Sequence, residues 1–542
     1  MADDRGVQII ALRDRERNEQ AAFLSLYQAA ADLTRARGNS ITSLRQPGED
    51  ISLRYYDGTG IQDAQELASG LTTTMLPIGQ AFFAMEDASD DEANAKKHDE
   101  YLAKAAEVVH REMFSCNFSL NINEVVGEQS NLGTGCMFTE FDRNLRKLNY
   151  RNYDVGAYQI QENVRGRVDA IILSFEYTAR QAIQEYGEDK VSDDIKKAAA
   201  EVKTESDTFP FVWIVRPNEV NPIGNGRFKW ESLHVDEKAK TIVREGGYDT
   251  FPFAVGRWSK SGRDKYGYGQ GMVALGFLRM LQAQRKTHIK MAHRQAEPPL
   301  EAVADDIEGI PDVRPNAVNW VVRRNSFGSI DQNALGNFVI TDQTLKDDRE
   351  TIHEIFYRDV FVMFGDLKGD RRTTIEIRAR AQEGLRRLSQ PVARLQEELL
   401  NPIIERTINL LIQWGRIPPP PPTLLEYNIV YLGQLALALR DQQATGAMQY
   451  VSVLGEMMPF YPDAMDVVDF DAMLPDLARS MGVKEAHIAT PEEIAAKRQA
   501  RAQQQQAAMA MQAAQAAGKA YGPMSKAPEQ GSPAGEMMGA SR

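Results

Sequence analysis

Three glycines, Gly267, Gly269 and Gly271, punctuate the stretch KYGYGQGMVALG, Lys265 to Gly276, just before an apolar segment with helical spacing. Gly269, Gly271 and Ala274 meet the G-x-G-x-x-G/A pattern, whose chemistry is to offer backbone N–H groups at a helix start to a pyrophosphate. That use also demands a strand ending at the first glycine and a return strand within about 30 residues. Here the apolar run FPFAVGRW, Phe251 to Trp258, is cut off from the glycines by the polar SKSGRDK, and the helix that follows runs on toward Pro298. The spacing therefore predicts a tight turn and a close approach to a neighbouring segment, with a nucleotide-binding enzyme as the alternative.

Other reactive patterns are absent. No G-x-x-x-x-G-K-[ST], H-E-x-x-H or G-x-S-x-G occurs, which removes the signatures of P-loop ATPases, zinc proteases and serine hydrolases. His288 and His293 are five apart on one helix and so point to different faces, and the neighbours Asp347-Asp348 and Asp193-Asp194 do not face each other either. Cys116 and Cys136 have no metal-ligand spacing and read as buried free thiols. No catalytic residue, metal or cofactor is expected.

The spacing of charge is more informative. Arg279, Lys286, Lys290 and Arg294 are seven, four and four apart, which makes one basic stripe on a helix. A second helix, read over Asp342 to Phe364, carries Asp347, Asp348, Glu350, Glu354 and Asp359. Helices of opposite sign suit each other between subunits of an oligomer, or pair at the surface within one subunit. Lys368, Arg371 and Arg372 gather in FGDLKGDRRTT beside Gly365 and Gly369, so positive charge and a permissive backbone coincide there.

The elements that must position these residues follow from composition and period. A chain of 542 residues implies roughly three or four domains. Its 43% hydrophobic and 26% charged content is ordinary for a soluble protein, no apolar run reaches the roughly 18 residues of a membrane span, and the N-terminus lacks a signal-peptide core, so an intracellular protein is expected. A net charge of -13 excludes a protein that grips nucleic acid over its whole surface.

Helical spacing marks Glu16 to Arg37, Ile61 to Met75, Ala95 to Phe114 and about Leu120 to Leu132. After Gly133 the texture changes to β-branched and aromatic runs that continue to Trp258, with a short helix, TARQAIQEYGED, among them. Helices are then expected over Met272 to Ala296 and Asp342 to Phe364, with short strands between. The longest runs from Thr374 to Trp414, kinked at Pro391 and Pro402 and closed by Gly415 and IPPPPP. Gln434 to Leu454 and the Gln/Ala-rich stretch after Pro491 read as further helices. The fold class is α+β, mostly helical.

Several segments, in this order, resemble the portal proteins, or head-to-tail connectors, of short-tailed phages: ELASGLTTTMLPIGQAFFAM; NLGTGCMFTEFD; QENVRGRVDAIILSFEYTARQAIQEYGED; PFAVGRWSKSGRDKYGYGQGMVALGFLRML; and RRTTIEIRARAQEGLRRLSQPVARLQEELLNPIIERTINLLIQWGRIPPPPP. Gln270-Gly271 stand where that family more usually has Arg-Gly or Ser-Pro. The resemblance implies a subunit with N-terminal helices and a mixed wing in 1–265, a first stem helix in 266–297, a clip in 298–341 and a second stem helix in 342–365. A tunnel loop in 366–373, a long kinked helix and wing return in 374–430, crown helices in 431–517 and a disordered tail in 518–542 would follow.

It further implies a dodecameric ring at one capsid vertex. Double-stranded DNA would pass through it without sequence reading, touched by Lys368, Arg371 and Arg372, while Gly267, Gly269 and Gly271 shape the turn into the stem. Implied partners are the terminase packaging motor, the tail adaptor and tail proteins, and major capsid, scaffold and internal core proteins, with no membrane. The implied locations are the virion and, during assembly, the host cytoplasm. A channel-less capsid scaffold is the remaining alternative.

Overall fold

The computed structural model describes residues 4–35, 41–42, 55–77, 79–88, 95–201, 204–218, 228–296, 300–303, 320, 322–323, 327–329, 338–365 and 387–433, with a few helical positions between 494 and 509. The chain divides into two compact units, Met1–Leu439 and Arg440–Arg542. In the second, only those few helical positions are described, so the expected helix at Gln434 to Leu454 lies outside the described residues, as do Lys368, Arg371 and Arg372.

The first unit opens with α1 (Asp4–Thr34), α2 (Thr59–Met75), β1 (Phe83–Asp87), α3 (Ala95–Phe114) and α4 (Phe118–Leu132). α1 starts twelve residues before the expected Glu16, because its buried stripe is half polar: Arg13, Glu16 and Gln20 continue the row of Ile9, Leu24 and Tyr27. Each is satisfied across the fold, Arg13 by Glu237 at 2.7 Å, Glu16 by Lys265 at 2.7 Å, and Gln20 by the carbonyl of Tyr158 at 3.2 Å. Buried polar groups with partners are tolerated, and an apolar-period reading passes over them.

Strands β2 (Thr134–Asp142), β3 (Lys147–Tyr153) and β9 (Phe253–Arg257) form a three-stranded antiparallel sheet in the order β3-β2-β9. Strands β4 (Tyr158–Glu162), β5 (Val168–Thr178), β6 (Thr208–Pro217), β7 (Trp230–Asp236) and β8 (Thr241–Tyr248) form a five-stranded antiparallel meander. Side chains alternate across it with period two. Ile172, Val212, Ile214 and Leu233 meet Ile9 of α1, while Ile171, Leu173, Trp213 and Val215 share a core with Cys136, Phe138, Phe253 and Val255 of the smaller sheet. Between β5 and β6, α5 (Ala179–Tyr186) starts at a capping box of Thr178 and Gln181, and α6 (Asp193–Ala200) packs beside it.

The short α7 (Gln270–Val273) puts Met272 into the core of the smaller sheet, while the largest core gathers α2, α3 and α4 with α8 (Leu275–Ala296), α9 (Phe338–Ile355), α10 (Arg358–Gly365) and the residues from 387 to 413. β1 pairs with the late strand Tyr427–Tyr431, and Leu300–Ala302 pairs with Phe327–Ser329. One helix was expected over Asp342 to Phe364, but the chain breaks at Tyr357, where φ is 57°, and α10 sets off in a new direction. No glycine or proline marks that break, so period alone does not reveal it.

The later helix is α-helical over 387–394, π-helical over Leu395–Leu400 and α-helical again over Asn401–Gln413. Pro391 lies in the first part and Pro402 in the first turn of the last. The π segment presents Glu398 to Arg257 at the end of β9: Arg257 Nε and Nη2 donate to the two Glu398 oxygens at 2.8 and 2.9 Å, and its backbone N–H donates to Oε2 at 3.0 Å. Arg257 also pairs with Glu162, which Lys260 reaches as well, and it is only 2% exposed. Arg257→Ala would take the shared, buried cation from these partly buried carboxylates, leaving Lys260 on Glu162 and Arg394 on Glu398. A loss of about 1–3 kcal/mol is expected, read as a lower urea midpoint.

Candidate functional site

The turn that leads into α8 is held by backbone lying on backbone. α4 closes at Gly133, whose φ is 102°. The following loop is laced across that cap: the Trp258 N–H donates to the Gly133 carbonyl at 2.9 Å, and the Gly267 N–H to Thr134 Oγ1 at 3.0 Å. A Cβ on Gly267 would overlap the Gly133 carbonyl, one on Gly269 the Asn131 carbonyl, and one on Gly271 the Asn131 side-chain oxygen. Gly269 is extended, with φ -100° and ψ 169°, so closeness rather than left-handed geometry demands glycine. Its N–H points at Met272 Sδ, 3.5 Å away. The glycine face that would cradle a phosphate is filled by the chain of α4, which withdraws the support for a nucleotide site.

From this turn α8 runs out and α9 returns. Gln270 Nε2 donates to the Tyr357 hydroxyl at 3.1 Å. One level on, Gln282 accepts from the N–H groups of Tyr56 and Asp57 at 2.6 and 3.0 Å, and Arg349 donates to Asp57 at 2.6 Å. These two rungs fix the helices as antiparallel. Leu278, Leu281, Leu345, Ile352 and Phe356 are buried along them.

α9 is stapled to α2 by two buried carboxylates. Asp57 sits before the α2 N-terminus and accepts from the Thr59 N–H at 2.9 Å and hydroxyl at 2.6 Å. Burial pushes its carboxyl up, but Thr59 and the Arg349 guanidinium outweigh that, and its pKa lies below the ordinary aspartate value. Asp63 takes His353 Nδ1 at 2.6 Å and Arg358 Nη1 at 3.3 Å, and Arg358 Nε reaches Glu66 at 3.0 Å. Here burial wins over His353 and Arg358, and the Asp63 pKa is raised. Beyond the break, Phe361 of α10 lies directly on Gly70 of α2, where a Cβ would overlap its ring.

The Bacteriophage head to tail connecting protein family matches residues 8–488. The chain belongs to that family. Over 511 residues it is 25% identical to the portal protein of Salmonella phage epsilon15 and 24% identical to the probable portal protein of Bordetella phage BPP-1, covering 90% of this chain and 89% of each relative.

In this connector-family chain the sequence-predicted charges take definite places. Arg279, Lys286, Lys290 and Arg294 are all exposed on α8, opposite its buried residues; Asp347, Glu350 and Glu354 are all exposed on α9, while Asp348 turns inward. Among the described residues, no ion pair joins the two rows. Lys286 instead lies over the Tyr56 ring at 5.5 Å, and Asp347 accepts from Gln343 at 2.9 Å. Sequence reasoning missed Asp57, Asp63, Gln270, Gln282, His353 and Tyr357. Only Asp57 left a signal, the Asp-Gly-Thr of a helix start. Among the described residues, no helix is long and apolar enough to cross a membrane, and no group of three or more His, Cys, Asp or Glu residues could hold a metal.

Two outcomes follow from this geometry. Gly269→Ala should destabilise the fold by about 1–3 kcal/mol because backbone must shift. Gly276→Ala, where nothing lies within 4 Å of the added carbon, should be neutral or stabilising by under about 1 kcal/mol; thermal melts compare the two. Asp57 has a lowered folded pKa, so its contribution is present above the unfolded value of about 3.9 and fades as pH falls through the folded one. Asp57→Asn should therefore cost stability at pH 7 and flatten the stability profile below about pH 4, as measured by denaturant titration at each pH.

Proposed function

We propose that this chain is the portal of a phage particle, a ring at one capsid vertex through which double-stranded DNA enters during packaging and leaves at infection. The observation that carries the reading is the pair of unmatched charge rows. α8 and α9 are locked together within the protomer, yet each turns outward a row whose complement lies on the other helix. A surface that meets a different surface of the next copy is heterologous, and such contacts close into a ring where the rotation per copy divides a full turn. Arg279, Lys286, Lys290 and Arg294 of one copy would face Asp347, Glu350 and Glu354 of the next, in a ring of twelve.

The charge balance suits a conduit. DNA carries one negative charge per about 1.7 Å of axis, so a channel lined with many cations would trap it. Copies carrying -13 each give a ring that repels the duplex and lets it slide. Lys368, Arg371 and Arg372 supply brief backbone contacts from the tunnel loop. The clip, 298–341, takes the packaging motor and then the tail adaptor, and the crown, 431–517, faces the capsid interior with its core, scaffold and capsid proteins. The protein performs no catalysis in this role.

The test is a charge swap. Glu350→Lys with Glu354→Lys places like charges across the contact, and rings should give way to folded smaller species in sedimentation and negative-stain images. Adding Lys286→Glu and Lys290→Glu should bring rings back. Rings that persist in the first variant would overturn the pairing.

A further inference from the structure

The run after the last long helix, Trp414-Gly-Arg-Ile-Pro-Pro-Pro-Pro-Pro, does more than stop that helix. Each residue from Ile417 to Pro421 precedes a proline, which disfavours the α conformation, and the proline rings fix φ near about -65°, so the segment is held in an extended, polyproline-like course. It is anchored from beneath and left bare above. Ile417 is 1% exposed, the Tyr101 hydroxyl donates to the Pro418 carbonyl at 2.8 Å, and the Leu424 N–H closes a turn onto the Pro421 carbonyl at 3.0 Å. Pro418, Pro419, Pro420 and Pro422 are exposed.

The flanks extend this ledge as an apolar surface. Trp414, 42% exposed, stacks on Phe141 of β2 at 4.5 Å, and Leu425 beyond the prolines is 83% exposed. Leu145, in the adjoining β2–β3 turn, is 71% exposed. In a chain of net charge -13 cations outnumber acids at this corner: Arg416 precedes the prolines, Arg143 lies over the Trp414 ring at 5.9 Å, Arg146 lies in the same turn and Lys147 opens β3, all four exposed, against Asp142 and the exposed Glu426.

We propose that Arg416 to Pro422 is a preformed ligand for a partner protein that presents a groove of aromatic side chains flanked by acidic groups. A proline-rich segment loses little conformational entropy when bound, its rings fit slots between aromatic side chains, and its exposed carbonyls accept hydrogen bonds from the groove. Arg416 at the N-terminal end gives the ligand a direction, because an acidic group on the partner must meet it at that end. The exposed apolar surface and its basic margin have a complement of that chemistry, whereas the acidic row of α9 offers a second copy of this chain no groove for the prolines.

The proposal rests on the portal reading, and ring formation by the wild-type chain measures that reading separately. Two variants, Arg416→Glu and Pro419→Ala with Pro420→Ala, would be supplied in place of the wild type during particle production. Particles would be purified and their protein composition compared by quantitative mass spectrometry. Expected are unchanged rings and filled capsids, but at least a tenfold loss of one particle protein in both variants. A recombinant copy of that protein should bind wild-type rings, fail to bind rings of either variant, and be displaced by a synthetic peptide spanning residues 414–425. Identical composition, or loss of rings in both variants, would overturn the proposal, the latter because it would make a second copy the occupant. Arg416→Glu alters an exposed side chain only, so it remains a valid test should the proline variant fold poorly.

Discussion

The carbonyl of Asn131 lies where any side chain on Gly269 would have to be, and the placing of α8 and α9 depends on that closeness. Because Gly267 and Gly269 lie against backbone of the α4 cap, no rotamer change can slacken those two contacts. Side-chain packing gives by tenths of an ångström, whereas peptide groups in contact do not. The start of α8 is thereby referenced to the same residues that end α4 and begin β2, and α9 is referenced to α8 through Gln270, Gln282 and the shared Asp57. A long helix pair needs such a fixed origin, since an angular error at the base grows with distance along it.

Much of the fold was legible where one period ruled one element. The strands in CMFTEFD and from Tyr158 to Arg257 fall in the β-branched and aromatic runs, though β3 between them does not, α3 spans the expected residues, and Gly133 and Gly415 close helices through positive φ. Legibility failed where tertiary partners override local pattern. The first half of α1 hides its burial behind Arg13, Glu16 and Gln20, and the break at Tyr357 is enforced from outside by Gln270, by Asp63 through His353 and Arg358, and by Phe361 against Gly70. A tyrosine in the left-handed region is unfavourable alone and persists only when its surroundings over-determine it. At the site, the spacing of charges foretold exposed rows. The buried carboxylates that hold the two helices were not foreseen, because they lie nearly 300 residues away in sequence from their partners.

The charges divide into two populations. Those that hold the protomer are buried on at least one side and sit in short, bonded groups: Arg257 with Glu398 and Glu162, Arg349 with Asp57, Arg13 with Glu237. Those on the outer faces of α8 and α9 are exposed and screened by solvent and salt. Ionic strength therefore weakens the second population well before it reaches the first.

The six residues from Leu395 to Leu400 have a consequence for how this helix tolerates change in length. A π turn accommodates one residue more than an α turn, so removing a single residue there would let the helix return to ordinary pitch rather than break. Because the wider turn fits its extra residue into about the same sweep around the axis, the α-helical segments on either side would keep their faces, and Ile403, Ile404, Ile408 and Leu411 would stay in their core. The change would fall on the six residues themselves, where Glu398 is aimed at Arg257. A shortening that spares the apolar packing would thus be felt first at that ion pair.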